Sequence, residues 1–181
     1  ELDKIRSHEH NPNIYVQLLG TALYTPLVHE YAPPTERYRH IIARLEKVPA
    51  FIDQAKQNLQ SSPSIWTEVA QQGNYGLIQL IKTVIPANLP TELAKDHDRA
   101  SQKALIALSG FGDYLANDLA RRNNHDWRLG QELYEAKFKA MLGTNQSPDE
   151  VLAQVEQEFQ IVTDQTIKVA EALDKEIYGS V

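Results

Sequence analysis

The chain has 181 residues, of which 18 are Lys or Arg and 24 are Asp or Glu, so its formal net charge is −6. This length suits one domain that buries roughly 70% of its unfolded surface without metals or disulfides. The acidic balance disfavours nucleic-acid binding, because phosphate contacts need clustered Lys and Arg. The absence of Cys excludes disulfides, thiolate nucleophiles and Cys-ligated zinc. No apolar run approaches the roughly 20 residues of a membrane span.

Proline, glycine and capping residues divide the chain into helical segments. These are predicted at about residues 12–31, 35–59, 65–84, 91–122, 130–143 and 148–181. Pro26 is expected to kink the first segment or end it early, and Pro49 is expected to bend the second. Gly73 and Gly76 weaken the third segment. No segment shows the alternation of a strand, so the sequence predicts an all-α protein, a bundle of about six to seven helices without a sheet, in a single domain over residues 1–181.

The segment from Thr91 to Arg122 is predicted to be the central helix. Small and apolar residues recur in it at steps of three, four or seven, which is the period of one helical face: Leu93, Ala100, Ala104, Leu108, Phe111, Leu115 and Leu119. Leu105, Ile106 and Tyr114 lie off this stripe. We therefore expect the helix to be apolar on more than one side and to sit centrally.

The last helix has the clearest start. Ser147-Pro148-Asp149-Glu150 is typical of a capping box with Pro at the first helical position. From there a mostly apolar stripe continues at steps of three or four: Val151, Val155, Phe159, Val162, Thr166, Val169, Leu173 and Ile177. This stripe fits two interpretations, since it could pack inside the bundle or dock on a partner helix.

Two runs of residues resemble metal-binding patterns. His8-Glu9-His10 lies near a terminus, and alternate residues point apart on a helix, so we expect a solvated turn there. His29 could begin a His-Glu-x-x-His zinc helix, but Pro33 stands where the second His is required. We therefore predict no metal ligand in this chain.

The other histidines have simpler interpretations. His40 is expected at or near the surface, and His125 is expected to form a turn in a polar loop. His97 lies on the apolar face of the central segment, which favours a buried, hydrogen-bonded side chain. A metal role for His97 would need carboxylates or histidines from neighbouring helices. We keep His97 as a candidate for lining a ligand cleft.

The sequence from Trp127 to Tyr134 combines two large aromatic side chains with Arg128 and Glu132 around Gly130, at a helix start. Aromatic walls with a few polar groups are typical of ligand pockets. Trp127, Arg128 and Tyr134 are therefore candidate cleft-lining residues. The alternative, which we favour, is a packing corner in which Trp127 covers the helix entrance and Gly130 permits close approach.

Two ordered series of short motifs run along nearly the whole chain. The first is Asn11-Pro12 with Tyr15, Pro33-Pro34 with Arg37, Ala43-Arg44-Leu45, Pro49 and Asn58-Leu59. The second is Arg128-Leu129-Gly130, Glu132-Leu133-Tyr134 and Ser147-Pro148-Asp149-Glu150. In order and spacing these motifs resemble the bacterial domain-of-unknown-function 885 family, whose members are similar to helical zinc metallopeptidases of the gluzincin type.

The resemblance implies a considerably longer protein, whose zinc site is a His-Glu signature followed by Pro-Gly-His downstream of the part matched here. His29-Glu30 does precede Pro33, but Pro34 and Thr35 stand where Gly and His are required. No zinc ligand, general base or oxyanion stabiliser is therefore carried over to this chain. Zinc is expected only in the missing portion. The implied role of this chain is one helical wall of a peptide-binding cleft.

Our leading hypothesis is the helical amino-terminal part of a zinc-metallopeptidase-like bacterial protein, inactive alone. Its expected partners are the missing carboxyl-terminal portion or a peptide substrate, with no nucleic acid. A start at Glu1 rather than Met is expected of a processed chain, an engineered piece or a fragment. The alternative is a stand-alone helical binding module, and a metal enzyme built from His40 and His97 ranks last. We expect a soluble protein, for which a periplasmic or secreted location is open, as is the oligomeric state.

Overall fold

The structure is a computed structural model that describes residues 4–122 and 126–179. In these two ranges it contains eight α-helices and no strand, which confirms the all-α prediction. The helices are α1 Ser7–His10, α2 Asn13–Val28, α3 Pro34–Leu45, α4 Val48–Asn58, α5 Ser64–Gln79, α6 Ala94–Tyr114, α7 Gly130–Leu142 and α8 Pro148–Tyr178. Their number exceeds the predicted six to seven because α1 is an additional short helix and the second predicted segment is divided into α3 and α4.

The chain groups into two compact units, Glu1–Trp127 and Arg128–Val181, which we call the first and second units. The first unit contains α1 to α6, and the second contains α7 and α8. Within the described ranges, every buried residue belongs to the first unit. The single domain over residues 1–181 stays a prediction.

Helix α6 lies at the centre of the first unit, where α3, α4 and α5 all pack against it. Each residue of its predicted face is at most 6% exposed: Leu93, Ala100, Ala104, Leu108, Phe111, Leu115 and Leu119. Short helical turns at both ends of α6 extend the helical path over the whole predicted segment. Leu105 and Tyr114 are partly buried against the core, whereas Ile106 is 69% exposed. Outside the predicted face, α6 therefore has less buried apolar surface than predicted.

Pro26 lies inside α2 without ending it, since the helix continues to Val28. A proline has no amide proton, so the carbonyl of Ala22, four residues earlier, lacks its helical donor. The guanidinium of Arg44 in α3 donates a hydrogen bond to that carbonyl instead. Arg37, also in α3, donates from Nη1 to the carbonyls of residues 26 and 27 at 2.8 and 3.1 Å. The two arginines therefore connect the end of α2 to α3.

A break between α3 and α4 lies just before Pro49, where the sequence predicts a bend. Glu46 and Lys47 join α3 to α4, and both have backbone angles close to those of a helix. Pro49 stands in the first turn of α4, where its missing amide proton costs no helical hydrogen bond. The chain therefore passes from α3 to α4 through two residues, without a longer loop.

Helix α5 runs without a break through Gly73 and Gly76, so the weakening predicted there does not interrupt it. At Gly73 an added Cβ would lie 2.7 Å from Val16 Cγ1 in α2. No atom lies within 4 Å of an added Cβ at Gly76. Gly73 therefore permits the close approach of α2 to α5, whereas Gly76 is not needed for it.

The second unit contains two helices and no buried residue over residues 128–179. Helix α7 is followed by Gly143, whose φ of 62° is the left-handed conformation that glycine tolerates best. Helix α8 starts with the predicted capping box, in which Glu150 N donates to Ser147 Oγ at 3.2 Å and Ser147 N donates to the Glu150 carboxylate at 2.7 Å. These hydrogen bonds with Ser147 lower the pKa of Glu150.

Candidate functional site

His97 is buried inside the first unit, with 3% of its surface exposed. Its Nε2 lies 3.0 Å from Ser101 Oγ, one turn further along α6. Its Nδ1 makes no hydrogen bond with the described residues, although the exposed Asp98 carboxylate is 3.5 Å away. The hydrogen bond to Ser101 is thus the contact that holds the ring. The structure places His97 in the buried, hydrogen-bonded arrangement that its position favours.

The other predicted cleft residues lie at the surface. Trp127, the last residue of the first unit, is 51% exposed. Arg128 and Tyr134 belong to the second unit, and both are exposed. The ring of Tyr134 lies 6.0 Å from that of Phe138, one turn further along α7. Their role in lining a cleft stays a prediction.

The histidine patterns do not converge on a metal site in the described ranges. His8 and His10 lie on α1, where His10 Nδ1 is 3.0 Å from Ser61 Oγ, and the nearly buried Glu9 pairs with Arg6. Over residues 4–122 and 126–179, no three His, Asp or Glu side chains form a group that could hold a metal ion. That zinc is held only by a further portion of the protein stays a prediction. His125 lies outside the described residues.

A groove of about 590 Å³ lies between α2, α3 and α4 in the first unit. Its apolar lining includes Leu18, Leu19, Val48 and Phe51. This volume falls within the range of roughly 300–1,000 Å³ that ligand pockets occupy. No local sequence pattern marks this groove, because its shape depends on the angles between three helices.

Basic side chains also line the groove, namely His40, Arg44 and Lys47, and none of the described residues that line it is acidic. The imidazole of His40 stacks on the ring of Tyr31 with centroids 5.9 Å apart, and its Nδ1 lies 2.9 Å from the Tyr31 hydroxyl. Arg44 is held by its hydrogen bond to the carbonyl of Ala22. The groove therefore combines apolar surface with positive charge, in a chain whose net charge is −6.

A long uncovered apolar surface lies on α8, a helix of 31 residues and about 46 Å. Ten of its large apolar side chains are between 42% and 78% exposed: Leu152, Val155, Phe159, Ile161, Val162, Ile167, Val169, Leu173, Ile177 and Tyr178. Single exposed apolar residues are common, but a continuous stripe of them marks an interaction surface. Six of the eight residues of the predicted stripe are among these ten, so the stripe is exposed rather than packed inside a core.

Helix α8 is also strongly acidic. It carries eight carboxylates and two lysines, so its net charge of −6 equals that of the whole chain. A partner surface that covers α8 has to be apolar where it contacts the stripe. Basic groups beside the stripe would attract the carboxylates of α8.

Comparison with known proteins places this chain in a family. A family model described as "Bacterial protein of unknown function (DUF885)" matches residues 2–181. The chain belongs to the DUF885 family. None of the curated proteins compared with the DUF885 chain matches it. The family confirms the resemblance read from the motifs, while the similarity of its members to zinc peptidases stays a prediction.

The DUF885 chain is also similar to a solved structure described as "a putative lipoprotein of unknown function from Shewanella oneidensis". The TM-score is 0.71 at 20% sequence identity, and the match covers 99% of this chain and 34% of that one. At this identity the likeness concerns the fold alone. The DUF885 chain thus spans about a third of the length of this neighbour. Among the described residues, every helix is too short or too polar to cross a membrane.

Proposed function

We propose that this DUF885 chain is the helical amino-terminal portion of a zinc-metallopeptidase-like protein, that it forms one wall of a peptide cleft, and that it is inactive alone. The observation that carries the proposal is the exposed apolar stripe of α8. The described part of the second unit has no buried residue, so its two helices lack a core of their own. Most of the stability of protein helices comes from packing an apolar face, so this unit needs a covering surface.

The length of the solved neighbour supports a further stretch of chain as that surface. The match takes up nearly all of this chain but only 34% of the neighbour, so a protein that contains this fold can be about three times as long. Fully burying one large aliphatic or aromatic side chain contributes about 1.5–3 kcal/mol. Ten exposed side chains on α8 therefore offer enough surface to hold a further domain firmly.

The peptidase chemistry rests on the family resemblance of the motifs. In this proposal the further portion supplies the zinc ligands and the catalytic groups. Arg128 and Tyr134 of the second unit contribute to the cleft, because an exposed guanidinium and an exposed aromatic ring suit contacts with peptide carbonyl groups and side chains. A location outside the bacterial cytoplasm, in the periplasm or the medium, would suit an enzyme of this kind.

Zinc content and peptidase activity test the proposal in two proteins, the complete product of the encoding gene and the 181-residue chain. After extensive dialysis, we expect stoichiometric zinc by elemental mass spectrometry in the complete product only. The complete product should also cleave members of a peptide library, detected by mass spectrometry. Stoichiometric zinc in the 181-residue chain, or a gene that ends at Val181, would contradict the proposal.

The contribution of the wall is tested by substitution in the complete product. Tyr134→Ala should raise the KM for a cleaved peptide more than it lowers kcat, because the ring contacts substrate and not the reacting atoms. Tyr75→Ala is a matched control, since Tyr75 is an exposed tyrosine of the first unit. Equal effects of the two substitutions on KM would show that Tyr134 does not line the cleft.

The second candidate function is a stand-alone helical binding module, which the stripe of α8 also favours. An amphipathic helix with exposed apolar residues at steps of three or four can lie in the groove of a partner protein. A complete gene product without zinc or peptidase activity, which still captures a partner through α8, would favour this function over the first.

A further inference from the structure

We propose that the groove between α2, α3 and α4 binds a long-chain aliphatic carboxylate, a small amphiphile with an alkyl tail and one anionic head group. The inference is independent of the proposed function, because it rests on the first unit alone. It combines two properties of one pocket, an apolar lining that is open to water and basic side chains with no acidic residue among the described lining residues.

The apolar lining offers a surface for the alkyl tail. Leu18 is 55% exposed and Phe51 is partly exposed, so water contacts both side chains in the groove, while Val48 next to them in the lining is buried. Removing such surface from water is favourable in proportion to its area. The volume of about 590 Å³ is that of a pocket for a small molecule.

Arg44 is positioned to bind the carboxylate. Its guanidinium is held at the groove by the bond from Nη1 to the carbonyl of Ala22, which Pro26 leaves without a helical donor. Its remaining N–H groups make no hydrogen bond with the residues that the structure describes. The planar fork of an arginine matches a carboxylate with two parallel hydrogen bonds.

Lys47 adds a second cation to the lining, and within the described ranges its ammonium group has no ion pair. The adjacent Glu46 does not line the groove, and its Oε1 lies 3.7 Å from Arg99 Nη2. Among the described residues that line this pocket, three are basic and none is acidic. A ligand with an anionic group at the end of an apolar tail therefore matches this pocket.

Isothermal titration calorimetry of the 181-residue chain with dodecanoate, kept below its micelle concentration, tests the assignment. We expect one dodecanoate to bind per chain, and octanoate to bind at least about tenfold more weakly because fewer methylenes are buried. Dodecyltrimethylammonium has the same tail with a cationic head, and acetate has the head without the tail. Neither should compete with dodecanoate, because each lacks one of the two required groups.

Two variants locate the bound molecule, which is necessary because α8 also exposes apolar surface. Lys47→Glu should weaken dodecanoate binding at least about tenfold by reversing a charge beside the head group. Ala43→Trp, at an exposed position in the lining, should abolish binding by filling the groove. Lys103→Glu reverses a charge at an exposed position of α6 outside the lining and should leave the affinity unchanged. Circular dichroism and urea unfolding check that each variant is folded.

The proposal is overturned if dodecanoate does not bind, or if Lys47→Glu and Lys103→Glu have equal effects. Competition by dodecyltrimethylammonium would also overturn it, since binding would then not require the anionic head group. A peptide with a carboxyl-terminal leucine that binds in the groove more tightly than dodecanoate would assign the pocket to peptides instead. Lys47→Glu keeps the proposal testable even if Ala43→Trp fails to fold, because the exposed side chain of Lys47 makes no hydrogen bond with the described residues.

Discussion

Gly73 occupies a position in α5 where any side chain would collide with α2. An added Cβ would lie 2.7 Å from Val16 Cγ1. Val16 is buried and β-branched, so it cannot easily rotate away. Gly73→Ala is therefore expected to lower the free energy of unfolding by about 1–3 kcal/mol, measured by urea denaturation.

Gly76, three residues further along the same helix, is the matched control. Because an added Cβ there meets nothing, Gly76→Ala should raise the free energy of unfolding by about 0.5–1 kcal/mol through helix propensity. When Val16 is also replaced by Ala, Gly73→Ala should lower the free energy of unfolding by less. Equal stability of Gly73→Ala and the wild type would show that the two helices do not need this glycine.

Tyr114 connects α6 to the end of α4. Its hydroxyl donates towards the carbonyl of Leu59 at 3.1 Å and accepts from Arg122 Nη2 at 2.8 Å. Burial raises the pKa of Tyr114, and the nearby charge of Arg122 opposes this only in part. A raised pKa means that the fold prefers the protonated phenol. The stability from this group is therefore fully present below the unfolded pKa of about 10 and is lost as the pH rises through the folded value.

We expect Tyr114→Phe to lower the free energy of unfolding by about 1 kcal/mol at neutral pH, since a hydrogen-bonding hydroxyl is removed. Above about pH 10 the wild type should lose stability faster than the variant, because only the wild type has this phenol to ionise. Chemical denaturation at a series of alkaline pH values measures both effects. Tyr24→Phe, at an exposed tyrosine, controls for the loss of a hydroxyl. Parallel pH curves for Tyr114→Phe and the wild type would contradict the expectation.

At the scale of elements, the end of α2 depends on α3. Arg37 is 9% exposed and donates three hydrogen bonds, two to carbonyls at the end of α2 and one from Nε to Ala32 O at 3.0 Å. Lysine cannot reproduce this fork, so Arg37→Lys leaves buried carbonyls without donors. We expect a loss of about 2–3 kcal/mol in the free energy of unfolding.

Arg39→Lys is the matched control for this element, because Arg39 is exposed on the same helix. It should change the free energy of unfolding by no more than about 0.5 kcal/mol. Hydrogen exchange of the amides near the end of α2 should accelerate in Arg37→Lys and not in Arg39→Lys. Similar exchange in both variants would mean that α2 is held by its apolar contacts alone.

At the scale of the whole molecule, the stripe of α8 should govern association. The 181-residue chain exposes ten large apolar side chains on one helix, so we expect it to self-associate in sedimentation experiments and to bind a hydrophobic dye. Phe159→Glu combined with Val162→Glu places charges on the stripe and should shift the chain towards monomer. The unfolding of the first unit should not change, since all described buried residues lie there.

Gln154→Glu combined with Gln157→Glu adds the same two charges to α8 at positions outside the predicted stripe. This control variant should associate like the wild type. An equal shift towards monomer in both double variants would assign the effect to net charge and not to the apolar stripe.

Many features of the fold follow from residues that are close together in sequence. The buried face of α6 follows from its period, and the start of α8 follows from its capping box, because both depend on residues three to seven positions apart. The burial of His97 follows from its place on that face. Ile106 shows the limit of such reasoning, since an apolar residue off the stripe turned out to be exposed.

The sequence by itself thus determined the helical class, the core face of the central helix, the cap of the last helix and the family. The tertiary structure alone decided the bond of Arg44 to Ala22, the contact that keeps Gly73 free of a side chain, the basic groove and the exposure of α8. The physical reason is distance along the chain. Helical period and capping are local interactions, whereas a groove, a close approach or an uncovered face depends on where segments far apart in sequence meet.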